Sequence, residues 1–165
     1  MSLKNLSVSK KTHKFLLNKL KDKKTFQIYN KFQRNIKLDQ DFIVAVSGGA
    51  DSLALSFLSK IYSIKKSINV KYILVDHKLR KNSSKEANFV KKILNKLNAK
   101  LKILQWIGKK PKSNIQSIAR TKRFNLLINE AKKIKINYIL LGHHRDDLYE
   151  NFFIRLLRGS GLNGL

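Results

Sequence analysis

The chain has 165 residues, enough for one domain with one core, and its 36 Lys and Arg against 10 Asp and Glu give a formal net charge of +26. Such a charge attracts polyanions such as nucleic acid, although lysine so outnumbers arginine that AT-rich coding DNA also explains part of it. The absence of cysteine excludes disulfides, zinc–thiolate sites and sulfur chemistry carried on the protein.

Residues 1–40 form a polar, lysine-rich extension. It has no signal-peptide core, and no apolar run in the chain approaches the roughly 20 residues of a membrane span. We therefore expect a cytoplasmic protein that makes no membrane contact. Phe26, Tyr29 and Phe32 recur at i, i+3 and i+6, which predicts a helix leaning on the domain. The first dozen residues lack such a pattern and indicate a flexible basic arm.

Residues 41–165 alternate apolar, strand-like runs with helix-length amphipathic segments, the pattern of a parallel sheet covered by helices. The predicted strands are Phe42–Val46, Val70–Val75, Leu101–Leu104 and Tyr138–Leu141. Two helices are predicted to begin with capping boxes, Ser83 with Glu86 and Ser113 with Gln116. The fold class is α/β, a doubly wound parallel sheet with helices on both faces. Because "RGSGLNGL" adds no closing element, we expect a domain truncated at its C-terminus.

The segment "SGGADS", Ser47 to Ser52, joins the first strand to the next helix. A glycine pair there lets backbone N–H groups approach a phosphate, and the helix N-terminus adds partial positive charge. The hydroxyls of Ser47 and Ser52 can donate to phosphate oxygens. Asp51 would repel a phosphate unless a cation such as Mg²⁺ lies between them. The alternative is an ordinary capped turn; the segment is neither a Walker A loop nor a dinucleotide fingerprint.

Half of the acidic residues are predicted at the edge where the strands end, which is where such folds bind ligands. They are Asp51, Asp76, Asp146, Asp147 and Glu150. Asp76 could bind a ribose hydroxyl or cap a turn. A helix from Asp147 would carry Asp147, Asn151 and Arg155 on one stripe, with Glu150 at its border; a solvated face of charge pairs is the alternative. The adjacent His143 and His144 are poorly placed to share one metal ion.

Four segments together resemble the tRNA(Ile)-lysidine synthase family of PP-loop ATP pyrophosphatases, over about residues 40–165. They are "SGGADS", "VDHKLR", "NIQSIARTKRF" and "LGHHRDDLYENFFIRLLRGSGLNGL". The resemblance implies a ligase that joins free L-lysine to C2 of the wobble cytidine in a tRNA(Ile) with a CAU anticodon. It further implies an adenylated tRNA intermediate, with lysidine, AMP and pyrophosphate as products.

The same resemblance implies roles for individual residues. The loop would hold ATP through Ser47, Gly48, Gly49, Ala50, Asp51 and Ser52, with Mg²⁺ at Asp51 and with Asp76, Arg120 and Arg123 as further ATP-binding residues. Asp51, Asp147, Glu150 and Arg155 would be catalytic, Arg155 near the α-phosphate and the acids Asp147 and Glu150 around the lysine ammonium.

Three positions depart from the family pattern in details other than the reaction, and two alternative functions stand beside the one implied. Lys78 stands where the family usually has Gly, Leu148 where it has Gln, and Asn151 where it has Thr. One alternative is another PP-loop enzyme, either tRNA-modifying or amide-forming through adenylation. The other is a basic RNA-binding module without catalysis.

Overall fold

The computed structural model describes residues 3–108 and 111–142 of the chain. In chain order the elements are α1 (Leu3–Asn18), a 3-10 turn (Lys19–Lys21), α2 (Lys23–Ile36), β1 (Phe42–Val46), α3 (Ala50–Lys66), β2 (Val70–Asp76), α4 (Ser83–Lys96), β3 (Leu101–Gln105), α5 (Ile115–Lys133) and β4 (Tyr138–Leu141). The predicted strands are confirmed, and β2 and β3 each extend one residue further than expected.

The four strands form one parallel sheet in the order β3-β2-β1-β4. Val46 of β1 pairs with Leu74 of β2, and Ala45 pairs with Leu141 of β4 on the other side. The chain moves outward from β1 through α3, β2 and α4 to β3, and α5 then returns it past β1 to β4. Strand order therefore reverses between β1 and β4, and a doubly wound sheet binds ligands beyond the carboxyl ends of the strands at such a point.

Both faces of the sheet are covered, as predicted. Side chains alternate along β1, so Phe42, Val44 and Val46 join the core beneath α1–α4 while Ile43 joins the core beneath α5. Phe42, Ile43 and Val44 are fully buried, and each such side chain contributes about 1.5–3 kcal/mol relative to exposure. Burial on both faces explains why the strand is an unbroken apolar run.

The flexible arm expected over the first dozen residues is wrong, because residues 3–18 form α1. Leu16 is fully buried in the larger core, and this contact anchors the helix. In α2, Tyr29 is buried and Phe32 packs edge-on against Tyr62, with 6.1 Å between ring centroids. Phe26 keeps 45% of its surface exposed, so only part of the predicted aromatic face leans on the domain.

The two predicted capping boxes are also wrong. The N-cap residues are Asn82 for α4 and Asn114 for α5, and neither side chain makes a capping hydrogen bond. At α4, the Ser83 N–H donates to the Arg80 carbonyl (3.1 Å) and Glu86 pairs with the Arg80 guanidinium (3.3 Å). The Glu86 carboxylate, which would have completed the capping box, therefore forms an ion pair with Arg80 instead.

Candidate functional site

A cavity of about 730 Å³ opens at the carboxyl ends of β1 and β2. It is lined by Ser47 and Gly48 of the loop, by Asp76 and His77 at the end of β2, and by side chains of α4 such as Phe89. This volume lies within the roughly 300–1,000 Å³ of small-molecule and cofactor sites. The "SGGADS" segment thus borders a space that fits a nucleotide.

The hydroxyl of Ser52 holds the loop in shape. Its oxygen accepts from the N–H groups of Ser47 (3.2 Å) and Gly48 (3.1 Å) and from the Ser47 hydroxyl (3.1 Å). It donates to the Gly49 carbonyl at 2.9 Å, and the side chain is buried. Ser52 therefore shapes the loop, and donation from its hydroxyl to a phosphate stays a prediction.

Gly48 has a φ of +91°, which L side chains rarely adopt, and a Cβ there would lie 2.8 Å from Cγ2 of Val90 in α4. Glycine therefore meets two requirements at this position, the turn that reverses the chain after β1 and the close approach of α4. Together they fix the loop against the wall of the cavity.

The first turn of α3 faces the end of the sheet. Gly49 is the N-cap residue without a side-chain cap, and Ala50 begins the helix. The first intrahelical bond runs from the Leu53 N–H to the Gly49 carbonyl (3.1 Å), so the N–H groups of the first turn have no acceptor within the helix. Such a terminus attracts anions. Asp51 lies in this turn and its side chain is exposed.

Gly142, which follows β4, completes the junction. A Cβ at Gly142 would lie 3.0 Å from both the N and the Cα of Ser52. Because glycine has no Cβ, the end of β4 can pack against the start of α3, at the point where strand order reverses. Gly142 was missing from the expected site residues; a glycine directly after a predicted strand was the available signal.

Asp76 is the last residue of β2 and is 3% exposed. Its carboxylate accepts from the Lys78 N–H (2.9 Å) and from the Ser84 hydroxyl (2.8 Å). Burial raises the pKa of Asp76, but these hydrogen bonds, another from the Ser83 hydroxyl and the charge of Lys78 bring it below its ordinary value. Asp76 therefore lines the cavity as a carboxylate while it also caps the turn after β2.

The two predicted arginines of α5 differ in position. Arg123 lines the large cavity and also a small one beside Leu141 and Gly142, and within the described part of the chain its buried Nε has no hydrogen-bond partner. Burial lowers the pKa of Arg123, and the charge of Arg120 lowers it further. Arg120 is exposed, with its guanidinium 6.0 Å from the centroid of the Phe124 ring. Of the two, only Arg123 borders the cavity.

The carboxylates implied for lysine binding lie beyond the described part of the chain. Asp147, Glu150 and Arg155 are in that segment, as are Asp146, His143 and His144.

Across residues 3–108 and 111–142, no group of three or more His, Asp or Glu side chains could hold a metal ion. Such a group is not required at Asp51, because Mg²⁺ usually takes one or two carboxylates together with substrate phosphates. No described helix has the length and apolar composition that crossing a bilayer requires.

Three comparisons agree with this geometry. The PP-loop domain family matches residues 19–165. The tRNA(Ile)-lysidine synthase of Orientia tsutsugamushi (strain Boryong) is 43% identical over 137 residues, which cover 83% of this chain and 30% of that protein. The tRNA(Ile)-lysidine synthase of Rickettsia akari (strain Hartford) is 42% identical over 144 residues, covering 84% of this chain and 34% of that protein. The chain therefore spans about a third of the length of these relatives.

A solved structure with a similar fold is the U34-tRNA thiolase NcsA from Methanococcus maripaludis with its [4Fe-4S] cluster. It has a TM-score of 0.71 and 18% sequence identity, and the match covers 81% of this chain and 49% of that one. At this identity the likeness concerns the fold alone. With its parallel sheet, its Ser-Gly-Gly loop and the match over residues 19–165, the chain belongs to the PP-loop domain family.

Proposed function

We propose that the protein uses ATP to ligate free L-lysine to C2 of the wobble cytidine of a tRNA(Ile) with a CAU anticodon. The reaction passes through an adenylated tRNA and yields lysidine, AMP and pyrophosphate. The observation that carries the proposal is the glycine loop, which leads into the uncapped start of α3 and whose Ser47 and Gly48 line a 730 Å³ cavity. The relatives named tRNA(Ile)-lysidine synthase at 42–43% identity supply the choice among PP-loop reactions.

ATP fits this cavity by charge as well as by volume. The N–H groups at the start of α3 suit the pyrophosphate end, where donors and the helix dipole stabilise negative charge. Mg²⁺ at Asp51 would neutralise phosphate charge beside that carboxylate. Asp76 retains lone pairs that can accept from a ribose hydroxyl although both of its oxygens already accept hydrogen bonds.

Arg123 is suited to the α-phosphate. Arg123 lines both cavities, and its buried Nε has no hydrogen-bond partner among the described residues. A cation held there would stabilise the charge that develops during adenylation. Its neighbour Arg120 is exposed to solvent, and we assign it a weaker, longer-range contribution to ATP binding.

Lysine capture falls to Asp147 and Glu150. The protein carries a formal net charge of +26, and such a field repels a lysine ammonium unless carboxylates lie close to it. The same field favours tRNA. We place the reaction in the cytoplasm, with tRNA(Ile) and free lysine as partners and no membrane involved.

Incorporation of labelled lysine into tRNA(Ile) with a CAU anticodon tests the proposal. Wild type should incorporate lysine only when ATP is present, whereas Asp51→Ala should lose incorporation and Asp39→Ala, at an exposed acid outside the loop, should keep it. Sulfur incorporation would favour another PP-loop tRNA-modifying enzyme. Equal, negligible ATP binding by wild type and Asp51→Ala would favour an RNA-binding module without catalysis.

The two arginines offer a matched pair. Arg123→Lys and Arg120→Lys preserve charge on the same helix, but only Arg123 borders the cavity. Arg123→Lys should lower the rate of tRNA adenylation roughly 10²-fold or more, in the range found when one stabilising donor is removed. Arg120→Lys should change it only slightly. Equal effects would contradict the role assigned to Arg123.

A further inference from the structure

The outward side chains of α1 and α2 between residues 10 and 37 form a strongly basic surface, here called the N-terminal basic surface. Asp22 is the one acidic residue in this segment, and its carboxylate accepts from the Thr25 N–H at 2.7 Å, capping α2. The exposed basic residues are Lys10, Lys11, Lys14, Lys19, Lys21, Lys23, Lys24, Lys31, Arg34 and Lys37. So many cations around one carboxylate repel each other and favour binding of a polyanion.

Exposed apolar side chains lie among these cations. Phe15 is 54% exposed, Phe26 45% and Ile28 58%. The ammonium of Lys19 lies 5.2 Å from the centroid of the Phe15 ring. Since the buried contacts of the two helices are made by other residues, Leu16 and Tyr29 among them, the outward rings do not serve the core. Phosphate-binding cations beside exposed rings are the combination that binds single-stranded or looped RNA.

This surface is separate from the candidate ATP site. α3 begins at the loop and runs away from the carboxyl edge of the sheet, and α2 packs against its second half. Phe32 contacts Tyr62, and the Lys65 ammonium lies 5.1 Å from the centroid of the Tyr29 ring. Changes on the outer surface of α1 and α2 should therefore leave ATP binding intact.

We propose that the N-terminal basic surface docks the tRNA substrate, binding backbone phosphates through its lysines and unpaired bases through Phe15 and Phe26. The choice of tRNA as the RNA rests on the proposed function. An anionic membrane is the less fitting partner, because an interfacial helix needs a continuous apolar face. Between residues 10 and 37, Leu16 and Tyr29 are buried in the core, and the exposed apolar side chains Phe15, Leu17, Phe26 and Ile28 are interspersed with exposed lysines.

Binding of an unmodified tRNA(Ile) transcript, measured without ATP or lysine over a range of salt concentrations, tests this surface. The test variant is Lys11→Gln, Lys14→Gln and Lys24→Gln combined; the control makes the same charge change on α4, at the exposed Lys91, Lys92 and Lys96. The test variant should raise Kd roughly ten-fold or more and reduce the magnitude of the slope of log K against log salt by about 2–3. The control should change Kd less than about three-fold. Equal weakening would show that only net charge matters and would overturn the proposal.

A second variant, Phe15→Ser with Phe26→Ser, keeps the charge and removes the rings. It should weaken tRNA binding by roughly five-fold or more while heparin, which has no bases, binds as before. Unchanged tRNA binding would reject the rings as base contacts. Phosphatidylserine vesicles are the third probe: if the lysine variant loses vesicle binding but binds tRNA like wild type, the surface serves a membrane and the proposal fails.

These experiments distinguish failure of the docking surface from failure of the proposed ligase function. If wild type docks tRNA through this surface and incorporates no lysine, the ligase activity is rejected and the docking surface stands. If wild type incorporates lysine and the lysine variant keeps the same KM for tRNA, the docking surface is rejected and the ligase stands. ATP titration of the lysine variant should match wild type.

Discussion

Gly48→Ala tests the geometry of the loop quantitatively. The added Cβ would occupy a φ of +91° and lie 2.8 Å from Cγ2 of Val90. The positive φ costs about 1–2 kcal/mol, and forcing an extra methyl into packed space costs about 1–3 kcal/mol more. We expect Gly48→Ala to lower the free energy of unfolding by about 2–5 kcal/mol and to abolish ATP binding, as measured by urea denaturation and calorimetric titration.

Gly108→Ala is the matched control for strain, since Gly108 has a φ of +114° but, its chain neighbours aside, no described residue has an atom within 4 Å of an added Cβ. It should show the strain penalty alone, about 1–2 kcal/mol. Combining Gly48→Ala with Val90→Ala should recover about 1–3 kcal/mol relative to the sum of the single changes, because the clash is then removed. Additive changes, or equal losses at Gly48 and Gly108, would refute the close approach of α4 to the loop.

Three further predictions follow from single residues. Lys78 has a φ of +51°, so Lys78→Gly should raise the unfolding free energy by up to about 1 kcal/mol, whereas Lys78→Val should lower it, as thermal denaturation would show. Because the pKa of Asp76 is lower in the folded protein than its unfolded value of 3.8, the ionised carboxylate stabilises the fold at pH values above 3.8. This stabilisation is lost as the pH falls through the pKa of the folded state. The deficit of Asp76→Asn in urea denaturation should thus be full at about pH 7 and shrink by about pH 3, and a constant deficit would contradict the linkage. Asp147→Asn should impair lysine transfer more than ATP binding, and parallel loss of both would instead indicate a metal-binding or folding role.

The strands could be predicted because burial on both faces of the sheet leaves a plain signal in the sequence. Phe42–Val46 and Tyr138–Leu141 were bounded correctly as apolar runs. Helix α1 could not be predicted in the same way, because its anchoring depends on the contact of Leu16 with residues distant in sequence. The capping box at Ser83 failed for a related reason, since Arg80 competes for Glu86.

Only part of the candidate site could likewise be predicted from the sequence. Residue types at "SGGADS" predicted a phosphate loop, but the bonds of Ser52 to the N–H groups of Ser47 and Gly48 depend on the folded turn. The left-handed backbone at Lys78 gives a physical reason for the glycine usual at that position in the resembled family. The contrast between half-buried Arg123, which lines the cavity, and exposed Arg120 required the position of α5 on the sheet.

The most direct test of the central claim is the ratio of products formed from ATP labelled at the α-phosphate. With tRNA(Ile), lysine and the protein present, one AMP should form for each lysine incorporated, and Gly48→Ala should form neither. With lysine omitted, label should accumulate on the tRNA as the adenylated intermediate. Formation of ADP in place of AMP, or lysine incorporation without AMP, would contradict the assignment of this loop to ATP-dependent adenylation of tRNA.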